Sequence, residues 1–253
     1  MKTPINSPST ETKALPTLLK KIPKGSIVDS HLFFSGQLEL SLAEYDRFVC
    51  ARTTQYVIFE FWNCLMTDPK RIYNIAVNEK FKFNESDFEY LQENWPKQHG
   101  EYIRSALFFT LNRCSDTGFI SSGNLSLDNF NRVSLAALNS FRPPKNFHLV
   151  HDADLCKSLQ KDTEATHTVV NIGKYDYNLF DTGKSFGYEE TSVNHSKVKN
   201  ILLETNKKMA LIYKNDQRLL KHFKNTNYDL TFINKYGTIC SSTNASEVII
   251  ANF

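Results

Sequence analysis

Short runs of β-branched and aromatic residues return along the chain at 26–32, 47–51, 147–151, 168–172, 209–213, 228–233 and 247–252, each reading as a strand. Between several of them the apolar spacing changes to that of a helix. Val198, Ile201 and Leu202 share one face of 196–206, and Leu219, Leu220 and Phe223 share one face of 215–224. Strand and helix in alternation predict an α/β fold around a mostly parallel, doubly wound sheet. The last two strand runs are joined by 234–246, which has no helical period, so they are expected to pair as a terminal antiparallel hairpin.

The alternation breaks between the second and third strand runs. Residues 55–66 are apolar almost all round, through Tyr56, Val57, Ile58, Phe59, Phe61, Trp62 and Leu65, as in a buried helix. Asp68-Pro69 then starts another helix, because proline suits the first helical position. A third pattern covers 101–113. Residues 114–132 follow, rich in Ser, Asn, Asp and Gly, with Ser121-Ser122-Gly123-Asn124 expected as a turn between short extended pieces. The organisation expected is a polar, disordered arm over 1–17, an α/β body over 18–54 and 146–253, and a mainly helical insertion over 55–145.

Composition excludes several classes of function. With 253 residues and 41% hydrophobic content the chain can bury a large core, and no apolar run nears the roughly 20 residues that span a bilayer. The N-terminal stretch has no apolar core of a signal peptide. Five scattered cysteines, with no Cys-x-x-Cys pair, argue against a disulfide framework and a zinc site and for a reducing intracellular compartment. His148 and His151 would face opposite sides of a strand, so they do not form a metal pair. Asp181-Thr182-Gly183-Lys184-Ser185 ends like a phosphate-binding loop but lacks its first glycine, and a plain loop is expected.

Several segments, in order, resemble the Dam-like (D12 class) adenine-N6 DNA methyltransferases. Leu107-Phe108-Phe109-Thr110-Leu111-Asn112-Arg113 is similar to the family's Phe-x-Leu-Asn-Arg, and Ser241-Ser242 followed by Glu247-Val248-Ile249-Ile250-Ala251-Asn252 is similar to its Ser-Ser…Glu-Leu-Leu-Ile-x-Asn ending. Residues 18–25 look like the segment that leads into the cofactor-loop strand, and 26–36 stand in the place of the Val-Glu-Pro-Phe-x-Gly-x-Gly loop. The resemblance spans 18–253. It implies a methyltransferase-like Rossmann domain with a mostly parallel seven-stranded sheet, a terminal antiparallel hairpin, and an insertion acting as a target-recognition, DNA-binding subdomain.

The departures from that family fall on its chemistry. Phe33 and Ser35 take glycine positions of the loop that lets the backbone approach S-adenosylmethionine, leaving a lone Gly36. Arg52 stands where an acid would hold the cofactor ribose. Ile172-Gly173-Lys174-Tyr175 replaces the catalytic Asp-Pro-Pro-Tyr, whose acceptors hold a flipped adenine while the tyrosine stacks on it. Only Tyr175 survives, and it could still stack a base. Asp154 is a candidate remnant of the adenine-facing position, or simply a helix cap.

No catalytic residue and no cofactor are therefore expected, and S-adenosylmethionine would return only if the chain is a divergent but active methyltransferase. The expected role is a scaffold or nucleic-acid-binding subunit of viral or mobile-element origin, partnered by nucleic acid, by an active methyltransferase or by a larger assembly, in the cytoplasm or in a viral particle. A purely structural protein is the third reading. Residues 197–224 carry eight basic residues against two acidic ones, and Lys207, Lys208, Lys214 and Arg218, with Arg113 and Arg132 of the insertion, are the candidate phosphate contacts. The insertion itself is acidic over 79–101, and its aromatics Phe81, Phe83, Phe88, Tyr90 and Trp95 are expected mostly in the core.

Overall fold

The computed structural model describes residues 3–6, 11–78, 84–120, 123–175, 193–223 and 228–253. Among these, seven strands form one sheet: β1 (Ile27–His31), β2 (Phe48–Thr53), β3 (Phe147–His151), β4 (His167–Gly173), β5 (Lys208–Lys214), β6 (Asp229–Ile233) and β7 (Glu247–Ala251). Their order is β3-β2-β1-β4-β5-β7-β6. The first five run parallel, whereas β7 lies antiparallel to both β5 and β6. The chain is thus α/β with a mostly parallel sheet closed by an antiparallel pair.

Side-chain alternation sorts the sheet into two faces. Val28, Val49, Val169, Ala210, Ile212 and Ile249 pack under α1 (Leu15–Lys21) and α2 (Gln37–Glu44). Their neighbours Val170, Ile172, Met209, Leu211, Tyr213 and Ile250 face α8 (Leu155–Gln160), α9 (His195–Glu204) and α10 (Gln217–His222). β4 has all seven residues buried because helices cover it on both sides, and it reads accordingly as a near-continuous apolar run.

Between β2 and β3 the insertion folds as α3 (Tyr56–Thr67), α4 (Pro69–Ala76), α5 (Glu85–Asn94), α6 (Glu101–Cys114) and α7 (Arg132–Asn139). Asp68 caps α4 by accepting from the Arg71 amide, with Pro69 at the first helical position. The insertion shares one apolar core with the sheet: Phe61, Trp62, Phe108 and Phe109 pack together with Phe33, Ala51 and Leu149. Phe88 and Trp95 belong to that core, Tyr90 is exposed, and Phe81 and Phe83 lie outside the described residues. After α6, Ser115 and Leu125 form an isolated antiparallel bridge, and Ser121 and Ser122 of the expected turn lie outside the described residues.

The N-terminal arm departs from expectation. Residues 3–6 and 11–17 are placed on the body: Ile5 is buried in the insertion core, Thr12 and Lys13 are held by the Glu247 carboxylate, and α1 begins at Leu15. Polar composition masked this order, since the anchoring groups are side chains far along the chain. No helix among the described residues is long and apolar enough to cross a membrane, and none of their His, Cys, Asp and Glu side chains gather in a group of three that could hold a metal ion.

Candidate functional site

In an open doubly wound sheet a ligand sits outside the carboxyl ends of the strands, at the point where strand order reverses. Here that point lies between β1, which pairs with β2 on one side, and β4 on the other. Two segments border it: residues 32–36 after β1 and residues 171–175 at the end of β4.

The loop after β1 turns sharply through Leu32 at φ +61° and Gly36 at φ +72°. Its aromatic residues go inward. The Phe33 ring meets Trp62 edge-on at 5.2 Å and Phe147 at 5.7 Å, and Phe34 lies 6.3 Å from Phe108. Its backbone is also engaged: the Phe33 amide donates to the Arg52 carbonyl, and the Phe34 carbonyl accepts from Trp62 Nε1 at 2.7 Å. A Cβ on Gly36 would come within 3.0 Å of both the Trp62 ring and Leu40. Ser35 is buried beside it.

Arg52, near the end of β2, turns to the α8 face. Its guanidinium lies 3.2 Å from Asp29 Oδ1 on β1 and 3.5 Å from Asp152 Oδ2 just after β3. All three side chains are 13% exposed or less. Thr163 Oγ1 donates to the other Asp29 oxygen at 2.8 Å, while Ser158 Oγ and Lys161 Nζ both donate to Asp152 at 2.7 Å. Burial pushes the Asp152 carboxyl up, but the hydrogen bonds from Lys161 and Ser158 and the nearby cations outweigh it and hold the group below its ordinary range. His31, next along β1 on the same face, is driven down to about 4 chiefly by burial, with Arg52 and Lys207 adding to the effect against Asp29 and Asp152. It is a neutral core histidine at physiological pH.

At the end of β4, Ile172 is fully buried in the core against α9, and Gly173 sits at φ +74° in a register irregularity of the β4–β5 pairing. Lys174 is exposed. The Tyr175 ring is stacked on His195, with centroids 4.2 Å apart and planes 12° apart, and the Arg218 guanidinium carbon lies 4.7 Å from its centroid. His195 Nε2 donates to the Tyr175 carbonyl at 2.7 Å, and its Nδ1 shares a hydrogen bond with the Tyr213 hydroxyl at 3.0 Å. Burial drives the Tyr213 phenol well above its ordinary range. Tyr175 is therefore held to α9 through one ring face and its carbonyl, and a base could stack on that face only by displacing His195.

Asp154 caps α8: its Oδ1 accepts from the Lys157 amide at 2.9 Å, and that bond is the main cause of its lowered pKa. The plain alternative holds for it.

The six candidate phosphate contacts do not form one surface. Lys208 opens β5 and Lys214 closes it, about 20 Å apart at the rise of an extended strand. Lys214 pairs with Glu247 at 2.7 Å, Lys207 donates to the Lys161 carbonyl, and Arg218 pairs with Asp216 at 2.7 Å. Arg113 is turned onto the N-terminal segment, donating to Thr3, Pro4 and Asn6. Arg132, in the first turn of α7, and Lys208 are exposed.

Sequence reasoning missed the Asp29, Asp152 and Lys161 side of the Arg52 cluster and the His195 lock on Tyr175. A signal for the first existed, since Asp29 is an acid inside a strand run and Arg52 a base at the end of the next, a pairing that buried neighbouring strands favour. Burial pushes the Cys50 thiol up to about 11 and the Cys114 thiol up to about 12, so neither is an activated nucleophile.

No family model matches the chain, and no curated protein matches it. Among solved structures it is similar to precorrin 8w decarboxylase of Methanobacterium thermoautotrophicum, with 13% identity and a TM-score of 0.39 over 100% of this chain and 96% of that one. A likeness at that level carries no argument about function.

Proposed function

We propose that this chain is a non-catalytic relative of the adenine-N6 DNA methyltransferases that serves as a scaffold, built to bind a partner. The reading rests on the motif order in the sequence. The sheet supports it, because the strands follow the doubly wound 3-2-1-4-5-6 order with β7 slotted antiparallel between β5 and β6, as a methyltransferase-like Rossmann body with an antiparallel hairpin requires.

The observation that carries the loss of chemistry is that each of the three family contact points is closed by a contact inside the chain. The loop carbonyl of Phe34 is taken by Trp62, the ribose position holds Arg52 between two carboxylates, and the Tyr175 ring is covered by His195. Ile172 offers no acceptor for an amine and points into the core. The ribose position offers no free acceptor for S-adenosylmethionine: it holds a guanidinium that only donates and is already bridged to Asp29 and Asp152. Because four of the six candidate cations are engaged internally, the arrangement favours a protein partner over a phosphate-tracking surface.

Calorimetric titration with S-adenosylmethionine is expected to give no heat of binding up to millimolar ligand; micromolar binding would overturn the reading. Duplex and single-stranded DNA are expected to bind no more tightly than roughly 1–100 µM at physiological salt, the range of non-specific contacts. Nanomolar DNA binding would move the function to nucleic acid.

A further inference from the structure

His31 closes β1 and is 2% exposed, on the sheet face that residues 152–166 cross on their way from β3 to β4. Charged groups approach it from several elements: Asp29 two residues back on β1, Arg52 from β2, Asp152 from the crossing segment and Lys207 from just before β5. β4 brings the apolar Val170 beside it, and α8 lays Leu155, Leu159 and the Cys156 thiol on the neighbouring core. The carboxylates of Asp29 and Asp152 are bonded by two cations, Arg52 and Lys161. Every oxygen of both carboxylates already accepts: Arg52 Nε and Thr163 Oγ1 donate to Asp29, while Lys161 Nζ, Arg52 and Ser158 Oγ donate to Asp152. With the His31 ring neutral, these charges balance. A proton on the ring adds a cation to a buried group whose acceptors are taken.

The same bonds hold the crossing segment down, since Ser158, Lys161 and Thr163 belong to it. Its Lys161 carbonyl also accepts from Lys207, and its Thr166 amide donates to the Ile27 carbonyl at 2.9 Å. Its apolar anchors are Leu155 and Leu159 of α8, a helix of six residues, too short to persist without the sheet beneath it.

We propose that His31 is the release of an acid-sensitive latch: when its ring takes up a proton, α8 and residues 161–166 come away from the sheet while the strands beneath them stay paired. The inference stands on this charge cluster and does not need the methyltransferase reading. The segment yields first because its hold is largely polar and shared with the ring, whereas β1 lies in the ladder between β2 and β4. The sign follows from linkage. Burial keeps the ring neutral down to about 4 while the segment is closed, and an open segment returns it to its ordinary value near 6.5. The closed form is therefore held in full above that value and loses about ten-fold of its preference for each pH unit below it, roughly a hundred-fold at pH 4.5.

The test is hydrogen exchange of the full chain, followed by mass spectrometry at pH 7.0 and 4.5 with labelling times scaled to the intrinsic amide rates. Between the two pH values, amides 155–163 are expected to lose at least ten-fold of their protection in the unmodified chain and less than about three-fold in His31→Gln, whose side chain stays neutral. β4 and β5 are expected to remain at least ten-fold better protected than the segment at both pH values. An equal loss in the two chains overturns the proposal. So does a segment that exchanges no faster than β4 and β5, because it then opens only with the whole fold. If His31→Gln fails to fold, an NMR titration of the unmodified chain decides: the His31 ring is expected to titrate well below 6.5 together with amides 155–163. A ring that titrates at its ordinary value, or that titrates without moving those amides, overturns the latch.

Discussion

Replacing Arg52 with methionine keeps most of the aliphatic stem and removes the cation between Asp29 and Asp152. Deleting one partner of a buried ion pair costs about 3–5 kcal/mol, because the remaining charge stays buried without its counter-ion. Two details place Arg52→Met at the lower end. Asp152 keeps Lys161 and Ser158, and Asp29 keeps Thr163. A loss of about 3 kcal/mol at pH 7 follows, equivalent to a fall in Tm of about 6–12 °C for a chain of this size. The loss depends on pH with a defined sign. The folded Asp152 carboxyl lies below its ordinary range, so its contribution is complete above the unfolded value of about 3.9 and disappears as pH falls through the folded value. His31 acts in the same direction at higher pH: it stays neutral in the fold down to about 4, whereas the unfolded chain takes up a proton near 6.5, so the native chain loses stability as pH falls between those values. Removing Arg52 takes one cation away from His31 and so lessens that acid loss in the variant, although Lys207 still faces it. Above pH 4 the His31 effect alone operates, and it narrows the gap between native and variant chains as pH falls from 6.5 toward 4. Urea unfolding at pH 7.0, 5.5 and 4.5, followed through the buried Trp62 and Trp95, measures it. A loss below about 1 kcal/mol at pH 7, or one that stays constant across the three pH values, would refute the assignment of Arg52 as the keystone of a buried charge cluster.

Gly36→Ala is expected to cost about 2 kcal/mol or more, since a Cβ there meets Trp62 and Leu40 at 3.0 Å on top of its positive φ, while Gly25→Ala, with φ +75° and open space, costs about 1 kcal/mol; thermal melts rank the two. Glu247→Gln removes the charge that accepts from Thr12, the Lys13 amide and Lys214, so a loss of about 1.5–3 kcal/mol and faster hydrogen exchange over 11–14 are expected. Arg52→Asp, which puts an acid at the end of β2, is expected to be less stable than Arg52→Met and not to bind S-adenosylmethionine, because it gathers three carboxylates at one buried point. Calorimetry and melting of the same sample check both halves.

The strands were legible because their signal is local. Residues 147–151 match β3 end to end, and 168–172 fall inside β4, since period-two burial and apolar runs are set by neighbours in the chain. What could not be read was settled across long separations. The arm over 1–17 looked disordered by composition, yet its Thr12 is held by a carboxylate 235 residues away and its Asn6 by a side chain 106 residues away. The basic run over 197–224 suggested one surface, but β5 carries Lys208 and Lys214 to opposite ends of the sheet, and folding pairs Lys214 and Arg218 with acids. Arg52 was visible as a charge reversal. Its meaning was not, because Asp29 and Asp152 reach it only once β1, β2 and β3 stand side by side in register.

On the proposed reading these replacements form a physical sequence. A cofactor at a hundred times its dissociation constant adds about 2.7 kcal/mol to the stability of the fold that binds it. A chain that no longer binds one must recover that energy elsewhere or tolerate a crevice lined with unsatisfied groups. The Trp62 bond to the Phe34 carbonyl, the Arg52 bridge between two strand carboxylates and the His195 lock on Tyr175 each satisfy a group that a ligand would otherwise have met. They come from different elements, α3, β2 and α9, so no single reversal reopens the crevice. Arg52→Asp would leave Trp62 and His195 in place and add repulsion.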